Sequence, residues 1–448
     1  MRLGRPRLAL AGPALLARLR LSSGPARLHR SPGLVPRFPQ GWLALLVLPA
    51  SLALLSGCGG VGVSTAVTLP GQLTVYSSLP LQGPLAAASL QIENGEKLAL
   101  AQVGGRVGRF KLDYASLDDA NPKTGEADPG IIASNARVAT QDTSTIAYIG
   151  ELDSAATAVS LPFVNGEGIL QVSPASPYVG LTSSLDAGQD EPERFYQSGK
   201  RTFVRLMPGD EVQAAAQVRL MRVLHLPSVY VIDDLDPFNA PLASIFAEDA
   251  KRAGIDVLGE DQIETTSNTE FSGEVRKVLA SGARAVFFSG NPDAGAVALW
   301  QQLHAADSHL RLLGPSSLAE PSFAAQIGSA AAHTYLTTPL LPLALYRPPA
   351  QRVLAEYRAR FHHAAGPYAL YGYEAMSAVL LAIHRAGRHG NDRETVIHEF
   401  FGIKDRDSVL GRYSVLPDGD TTFSRYAVNR VHGGHLVFYR VLQLPPES

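Results

Sequence analysis

The stretch Ile146–Thr182 reads IAYIGELDSAATAVSLPFVNGEGILQVSPASPYVGLT. A short apolar run ends at Gly150, and a polar loop containing Asp153 and Ser154 follows it. A helix-like run, a second apolar run (residues 169–172) and a second polar loop complete the stretch, which predicts a βαβ unit of a parallel sheet. Loops that follow parallel strands meet at one sheet edge, where ligands bind. Hydroxyls and helix N-terminal amides at that edge suit an anion such as a carboxylate.

The same alternation of strands and helices fills most of the chain. It runs from Gln72 to Val172 and restarts at Asp210, continuing to Leu313. Helical patterns cover residues 348–402, and the end of the chain is rich in predicted strands. We therefore predict an α/β fold with two doubly wound parallel-sheet lobes.

Composition is that of an ordinary globular α/β protein. The 448 residues are 46% hydrophobic and 18% charged, which suits two or three domains. The first 57 residues hold eight Arg and no Asp, Glu or Lys, so removing them changes the formal net charge from -2 to -10. An acidic remainder argues against nucleic acid as a partner.

The N-terminal segment has the pattern of a secretory signal, residues 1–57. Arginines precede the apolar run Trp42–Leu55, which is short and interrupted by Pro. Leu55-Ser56-Gly57-Cys58 resembles the bacterial lipobox, and the resemblance implies cleavage before Cys58 and lipidation of its sulfur. Residues 58–70 would then tether the protein to the outer face of the cell membrane. The alternative is that Cys58 is an ordinary buried thiol without a lipid. Because Cys58 is the only Cys in the sequence, no internal disulfide is possible.

The order of several short motifs is similar to that of a known family. In chain order these are Pro80-Leu81-Gln82-Gly83, Asn94-Gly95, Asp118-Asp119-Ala120, IAYIGE at residue 146, Asn165 and Ser173-Pro174-Ala175. The pattern resembles the branched-chain amino acid class of periplasmic binding proteins, which have the type I fold, over roughly residues 72–441. The resemblance implies three crossings between the lobes, near Phe203, Thr337 and Arg412. It assigns residues 71–203 and 338–411 to lobe 1 and residues 204–337 and 412–443 to lobe 2, and three adjacent crossings make a hinge that closes around a ligand.

The resemblance also implies ligand-binding positions. In lobe 1, Ser154, Ala175 and Ser176 match positions that meet the ligand carboxylate, and the alternative is that these Ser only cap a helix or close a turn. Lobe 2 departs from the pattern: Asp236, Phe238, Asn291 and Ser316 stand where tyrosines and an ammonium-binding acid are expected. Either Asp234 or Asp236 takes over the ammonium, or the ligand is not a free α-amino acid. We favour the second interpretation, with a small organic acid, an amide or a peptide-like metabolite as ligand; weak or absent binding is the third possibility.

These patterns predict a monomeric, lipid-anchored solute receptor that delivers a small molecule to the permease subunits of an ABC importer. A ligand sensor of the same fold, signalling to a membrane partner, is the alternative. An enzyme is disfavoured, since no nucleophile elbow occurs and His362-His363 and His398-Glu399 lack zinc-ligand spacing. No cofactor and no metal are predicted.

Overall fold

The structure, a computed structural model, describes residues 71–444. The predicted signal segment, Cys58 and the tether lie outside the described residues. Within residues 71–444, no helix is long and apolar enough to cross a membrane.

The first half of the first lobe alternates strands and helices, as the sequence pattern predicts. Its elements are β1 (Gln72–Leu79), α1 (Ala86–Gln102), β2 (Arg106–Val107), β3 (Phe110–Asp118), α2 (Pro129–Gln141), β4 (Thr145–Ile149), α3 (Ser154–Gly166), β5 (Leu170–Ser173) and β6 (Phe203–Arg205). They form a six-stranded sheet in the order β2-β3-β1-β4-β5-β6, parallel except for β2.

The second lobe repeats this architecture. It contains α4 (Asp210–Val223), β7 (Ser228–Asp233), α5 (Ala240–Arg252), β8 (Asp256–Gln262), α6 (Ser272–Ser281), β9 (Ala285–Ser289), α7 (Ala294–Ala306), β10 (Arg311–Gly314), α8 (Pro321–Gln326) and β11 (Thr334–Thr338). The chain then forms α9 (Pro348–Phe361), α10 (Pro367–Ala386), α11 (Arg393–Phe401), β12 (Arg406–Asp407), β13 (Arg412–Tyr413), β14 (Arg425–His432) and β15 (His435–Gln443). The second sheet has the order β15-β14-β11-β10-β9-β7-β8, with β14 and β15 antiparallel.

The central strands of both sheets are buried on both faces, which explains why they form continuous apolar runs, whereas the edge strand β15 is largely exposed. In the first lobe, α1 and α9–α11 cover one face through a large cluster that includes Val75 and Met376. A smaller cluster with Ala136 and Tyr148 joins α2 and α3 to the other face. In the second lobe the aromatic ring of Phe287 packs on that of Phe246 at 4.2 Å between centroids.

One of the strands that the sequence pattern predicts near the end of the chain, Tyr413–Leu416, is wrong in its extent. The strand β13 holds only Arg412 and Tyr413, which pair antiparallel with Asp407 and Arg406, and Val415 forms an isolated antiparallel bridge with Thr421. The chain beyond Tyr413 closes on itself instead: Leu416 N donates to Asp420 O at 2.8 Å. Residues 414–422 therefore form a tight turn where the chain crosses between lobes.

Three chain segments connect the two sheets, at residues 206–209, 339–347 and 414–424. The fold is therefore the predicted two-lobed α/β architecture with a three-crossing hinge. The exact lobe limits given above remain a prediction.

A buried ion pair fastens the first crossing to the third. Arg205 Nε donates to Asp420 Oδ1 at 2.5 Å, and the side chain of Arg205 is 0% exposed. The backbone follows the same contact, since Arg205 N donates to Gly419 O at 3.1 Å. Gly419 has φ +102°, and a Cβ there would lie 2.1 Å from Phe203 O, so only glycine lets the turn approach β6 this closely.

Candidate functional site

The loop after β4 turns sharply into α3. Gly150 has φ +143°, and a Cβ at this position would lie 2.6 Å from Ser78 O. Asp153 then caps α3, because its Oδ1 accepts from Ala156 N at 2.8 Å. The carboxylate of the protein itself therefore occupies the helix N-terminus, where the sequence predicted that a ligand carboxylate would bind.

Ser154 joins this loop to the loop after β5. Its Oγ accepts from Tyr178 N at 3.1 Å, and the residue is 8% exposed. The two loops thus lie side by side at one sheet edge, as expected for neighbouring parallel strands. The proton of the Ser154 hydroxyl has no acceptor among the described residues, so it is free to be donated to a ligand.

Ser176 is an internal brace. It is fully buried, and its Oγ lies 2.7 Å from Thr157 Oγ1 and 2.8 Å from Ser173 Oγ. It also lies 3.0 Å from the Asp153 carbonyl oxygen, to which it can donate. Ala175 N donates to Ser173 Oγ at 3.2 Å. The hydroxyl of Ser176 is therefore committed to holding the two loops together, and its predicted contact with a ligand remains a proposal.

The facing loops of the second lobe gather three of the predicted polar residues. Asn291 donates from its backbone N to Asp234 Oδ2 at 2.8 Å, and from Nδ2 to Asp234 Oδ2 at 3.1 Å. Asp236 Oδ1 accepts from Phe238 N at 2.8 Å, which fixes the turn that follows β7. The loops after β7 and β9 therefore form one polar surface that carries the carboxylates of Asp234 and Asp236.

Ser316 lies apart from this group. It stands in a short helical turn after β10, and its Oγ donates to Gln213 Oε1 on α4 at 3.0 Å. Its neighbour Ser317 donates to Gly290 O at 2.7 Å, so the loop after β10 still borders the loop after β9.

The two lobes touch through an aromatic pair. The ring of Phe238 meets the ring of Tyr178 edge to face, with 5.0 Å between centroids. The Tyr178 hydroxyl is held from behind, because it donates to Glu191 Oε2 at 2.5 Å. Beside this pair Asp153 of the first lobe and Asp236 of the second interact electrostatically; burial, and then the charge of Asp236, raise the pKa of Asp153.

A cavity of about 730 Å³ opens beside this contact. It follows α3 outward and is bounded by the start of α2, the turn at residues 194–195 and the second lobe. Most of its lining is apolar, and the charged residues that the structure describes in the lining are one acid and one base. The lining residues are Ala127, Pro129, Ile132, Asp153, Ala155, Ala156, Ala158, Val159, Pro162, Arg194, Phe195 and Phe238.

Two further carboxyl groups are buried behind the α3 loop. Asp119 and Glu151 hydrogen-bond to each other, and the Tyr148 hydroxyl donates to Glu151 Oε1 at 2.7 Å. Burial raises the pKa of Asp119 to about 6, and burial together with the Asp119 charge raises the pKa of Glu151 well above its ordinary range. Since two adjacent buried carboxyls do not both ionise readily, a negative charge on one of them opposes ionisation of the other.

Of the residues predicted to bind ligand, only Phe238 lines the cavity. Sequence reasoning missed Asp153 and Arg194. Asp153 directly precedes a predicted helix, so its position in the sequence indicates a helix cap and gives no sign that it also lies in the cavity wall. Arg194 lies in an irregular segment with no periodic pattern, so nothing local placed it near α3. Within the described residues, no group of three or more His, Cys, Asp or Glu could hold a metal ion.

Two doubly wound lobes, a three-crossing hinge and loops that face each other across a cleft define a two-lobed binding protein. The family model for periplasmic binding proteins matches residues 77–435, and the chain belongs to that family. The chain is therefore a solute-binding protein of the periplasmic type, and the predicted resemblance to the branched-chain amino acid class is confirmed.

Relatives and solved structures agree with this class. The chain is 27% identical to Leu/Ile/Val-binding protein homolog 3 of Brucella melitensis, over 70% of this chain and 79% of that protein. It superposes on a leucine-binding protein, LivK, of Thermotoga maritima with a TM-score of 0.67 and 20% identity, over 83% of this chain and 99% of that one. It superposes on LivJ of Streptococcus pneumoniae, solved with isoleucine, with a TM-score of 0.65 and 17% identity, over 83% and 100% of the two chains. At these identities the superpositions establish the fold alone.

Proposed function

We propose that this protein is the lipid-anchored, extracytoplasmic receptor of an ABC importer and traps a small ligand between its lobes. The observation that carries the proposal is the meeting of Tyr178 and Phe238 beside an apolar cavity that both lobes line. Closure of one lobe on the other buries a ligand there, and the closed form docks on the permease subunits. The names of the relatives, which bind branched-chain amino acids, support a ligand of the size of an amino acid, amide or small organic acid.

The hinge supports a closing motion about a fixed axis. Arg205 holds the first and third crossings together through Asp420, and its Nη1 donates to Tyr178 O at 2.5 Å. The ligand-facing loop is thereby tied to the hinge. A change at Tyr178 on ligand binding is transmitted directly to the crossings.

The site residues carry distinct roles in this proposal. Ser154 donates its hydroxyl proton to a polar group of the ligand, while Ser176 and Ala175 keep the adjoining loop in place. On the second lobe Asp236 and Asn291 supply polar contacts, and Phe238 covers the ligand. Ser316 takes part only if closure moves it away from Gln213.

Closure is tested on the full chain purified in detergent. Calorimetric titration with amino acids, amides and small acids identifies a ligand, and small-angle X-ray scattering then compares the free and bound forms. The expected result is a tight ligand whose binding lowers the radius of gyration. Phe238→Ala is expected to weaken binding about tenfold or more, since an aromatic anchor is lost, while Phe438→Ala on the exposed strand β15 serves as the control. Failure of every compound in the panel to bind would contradict the proposal.

Anchoring and partnership are tested in cells. Cys58→Ser is expected to release the protein from the membrane fraction and to abolish labelling by a fatty-acid analogue, while leaving ligand affinity unchanged. Cross-linking of the ligand-bound chain is expected to capture the permease subunits. Retention of Cys58→Ser in the membrane, without any label on the parent protein, would contradict lipid anchoring.

A further inference from the structure

The cavity is larger and more apolar than a single small amino acid requires. Its 730 Å³ lie within the range of about 300–1,000 Å³ typical of pockets for drug-sized ligands. The lining consists mainly of Ala, Pro, Val, Ile and Phe side chains, which belong to α3, to the start of α2 and to the turns around Phe195 and Phe238. An occupant with an extended apolar body is therefore expected to fill it.

The electrostatic character of the cavity is negative. In the part of the chain that the structure describes, Arg194 is the one basic residue of the lining, and Arg194 Nη2 already pairs with the buried carboxylate of Glu191. Asp153 lies in the wall, and the charge of Asp236 reaches it from the other lobe. Among residues 71–444, no second basic side chain lines this cavity. Bringing the lobes together without a cation leaves two like charges in a partly desolvated space, which is costly.

The amides that would neutralise a ligand carboxylate are already used. Asp153 Oδ1 accepts from Ala156 N at 2.8 Å, and Ala155 N donates to the same carboxylate. A ligand carboxylate placed here would displace Asp153 or face it at close range. The aromatic ring of Phe238 also lines the cavity, and aromatic rings attract positive charge at their π faces.

We infer that the cavity binds an organic cation, with an ammonium or similar group held at Asp153 and Asp236 and an apolar body lying along α3. This inference rests on the proposed function and narrows its range of ligands to those that carry a positive charge. It disfavours the small organic acid that the sequence suggested. Closure then draws Asp236 towards a cation already bound at Asp153, so the ligand charge itself stabilises the closed form.

Matched pairs of compounds test the charge separately from the shape. Calorimetric titration of the full chain uses 4-phenylbutylamine against 4-phenylbutyrate, and leucinamide against N-acetylleucine. Each pair keeps its apolar body and reverses its charge. The expected result is binding of the two cations, with affinities at least about thirtyfold above those of the two anions, as for a desolvated charge pair.

Single substitutions show which carboxylates of the protein hold the positive charge of the ligand. Asp153→Asn keeps the helix cap, since Asn caps as well as Asp, and is expected to weaken binding of the cations by about thirtyfold while leaving the anions no worse. Asp236→Asn is expected to act in the same direction. Asp256→Asn, an exposed residue at the start of β8, is the control.

The outcomes separate this inference from the proposed function. Preferential binding of 4-phenylbutyrate and N-acetylleucine, or cation binding that neither Asp153→Asn nor Asp236→Asn weakens, would overturn the inference and leave a solute receptor. Absence of heat from every compound, leucine included, would overturn both.

Discussion

The buried pair Arg205–Asp420 allows a quantitative test of the hinge. Arg205 is 0% exposed and donates to four groups besides its backbone contact: the Asp420 carboxylate, the Thr182 hydroxyl, and the carbonyl oxygens of Ser176 and Tyr178. Arg205→Met keeps much of the volume and removes the charge. Among the described residues, Asp420 then keeps only the Thr182 hydroxyl as a side-chain donor, and the carbonyl oxygens of Ser176 and Tyr178 lose Arg205, in a site that is largely buried.

The expected cost follows from that burial. Breaking a buried pair by removing one partner costs about 3–5 kcal/mol, because the remaining charge is uncompensated. With an unfolding entropy of about 2.1 cal/mol/K per residue, this loss lowers the melting temperature by about 4–6 °C for a chain of this size. Differential scanning calorimetry of the ligand-free protein measures the shift, and urea denaturation measures the free energy of unfolding.

A double variant separates the lost charge pair from lost packing. Asp420→Leu together with Arg205→Met removes both charges, and it is expected to be less destabilised than the sum of the two single variants by about 2 kcal/mol or more. The control is Lys200→Met, which breaks the exposed pair with Glu394 (side chains 68% and 79% exposed) and is expected to cost less than about 1 kcal/mol. If the buried variant cost no more than this control, or if the two single effects simply added, the role given to the pair would be refuted.

Three further variants test other parts of the structure. Burial raises the pKa of Glu96 to about 8, above its unfolded value, so the folded protein favours the protonated form. The free energy of unfolding is therefore expected to fall as the pH rises from about 5 to 8, and Glu96→Gln is expected to reduce this fall by about 2–4 kcal/mol. Urea titrations at pH 5 and pH 9 measure the difference, and an equal fall in the variant and the parent protein would contradict the expectation. Gly419→Ala is expected to cost about 2–3 kcal/mol in the same assay, since a Cβ would meet Phe203 O at 2.1 Å with φ at +102°; a neutral effect would contradict the close approach. Ser154→Ala is expected to weaken binding of the identified ligand about tenfold by calorimetry, and equal affinity would remove Ser154 from the site.

The elements around the site could be predicted closely because their signals are local. Residues 146–149 were predicted as a strand, and β4 spans Thr145–Ile149. The adjacency of the loops after β4 and β5 also followed from the parallel-sheet rule, and the bond from Tyr178 N to Ser154 Oγ confirms it. Apolar runs, a capping Asp and loop glycines act over a few residues, so they can be interpreted without knowing the fold.

The roles of individual side chains at the site could not be predicted as closely from the sequence. Ser154 and Ser176 both follow a predicted strand in a polar loop, and the sequence gives them the same expected role. The Ser176 hydroxyl hydrogen-bonds to Thr157, Ser173 and the Asp153 carbonyl oxygen. The Ser154 hydroxyl accepts from Tyr178 N, and its own proton has no acceptor among the described residues. Nothing in the local sequence distinguishes them. The difference depends on which groups the packed loops bring within hydrogen-bond distance.

The sequence alone determined the class of this protein: its alternating βα pattern and motif order specify two doubly wound lobes and a periplasmic binding protein. Tertiary structure decided the chemistry of the cleft. Arg205 and Asp420 are 215 residues apart, and Asp153 and Asp236 belong to different lobes. Hydrogen bonds, burial and charge act through space, so the groups that meet in the cleft are set by the packing of distant segments rather than by any local pattern.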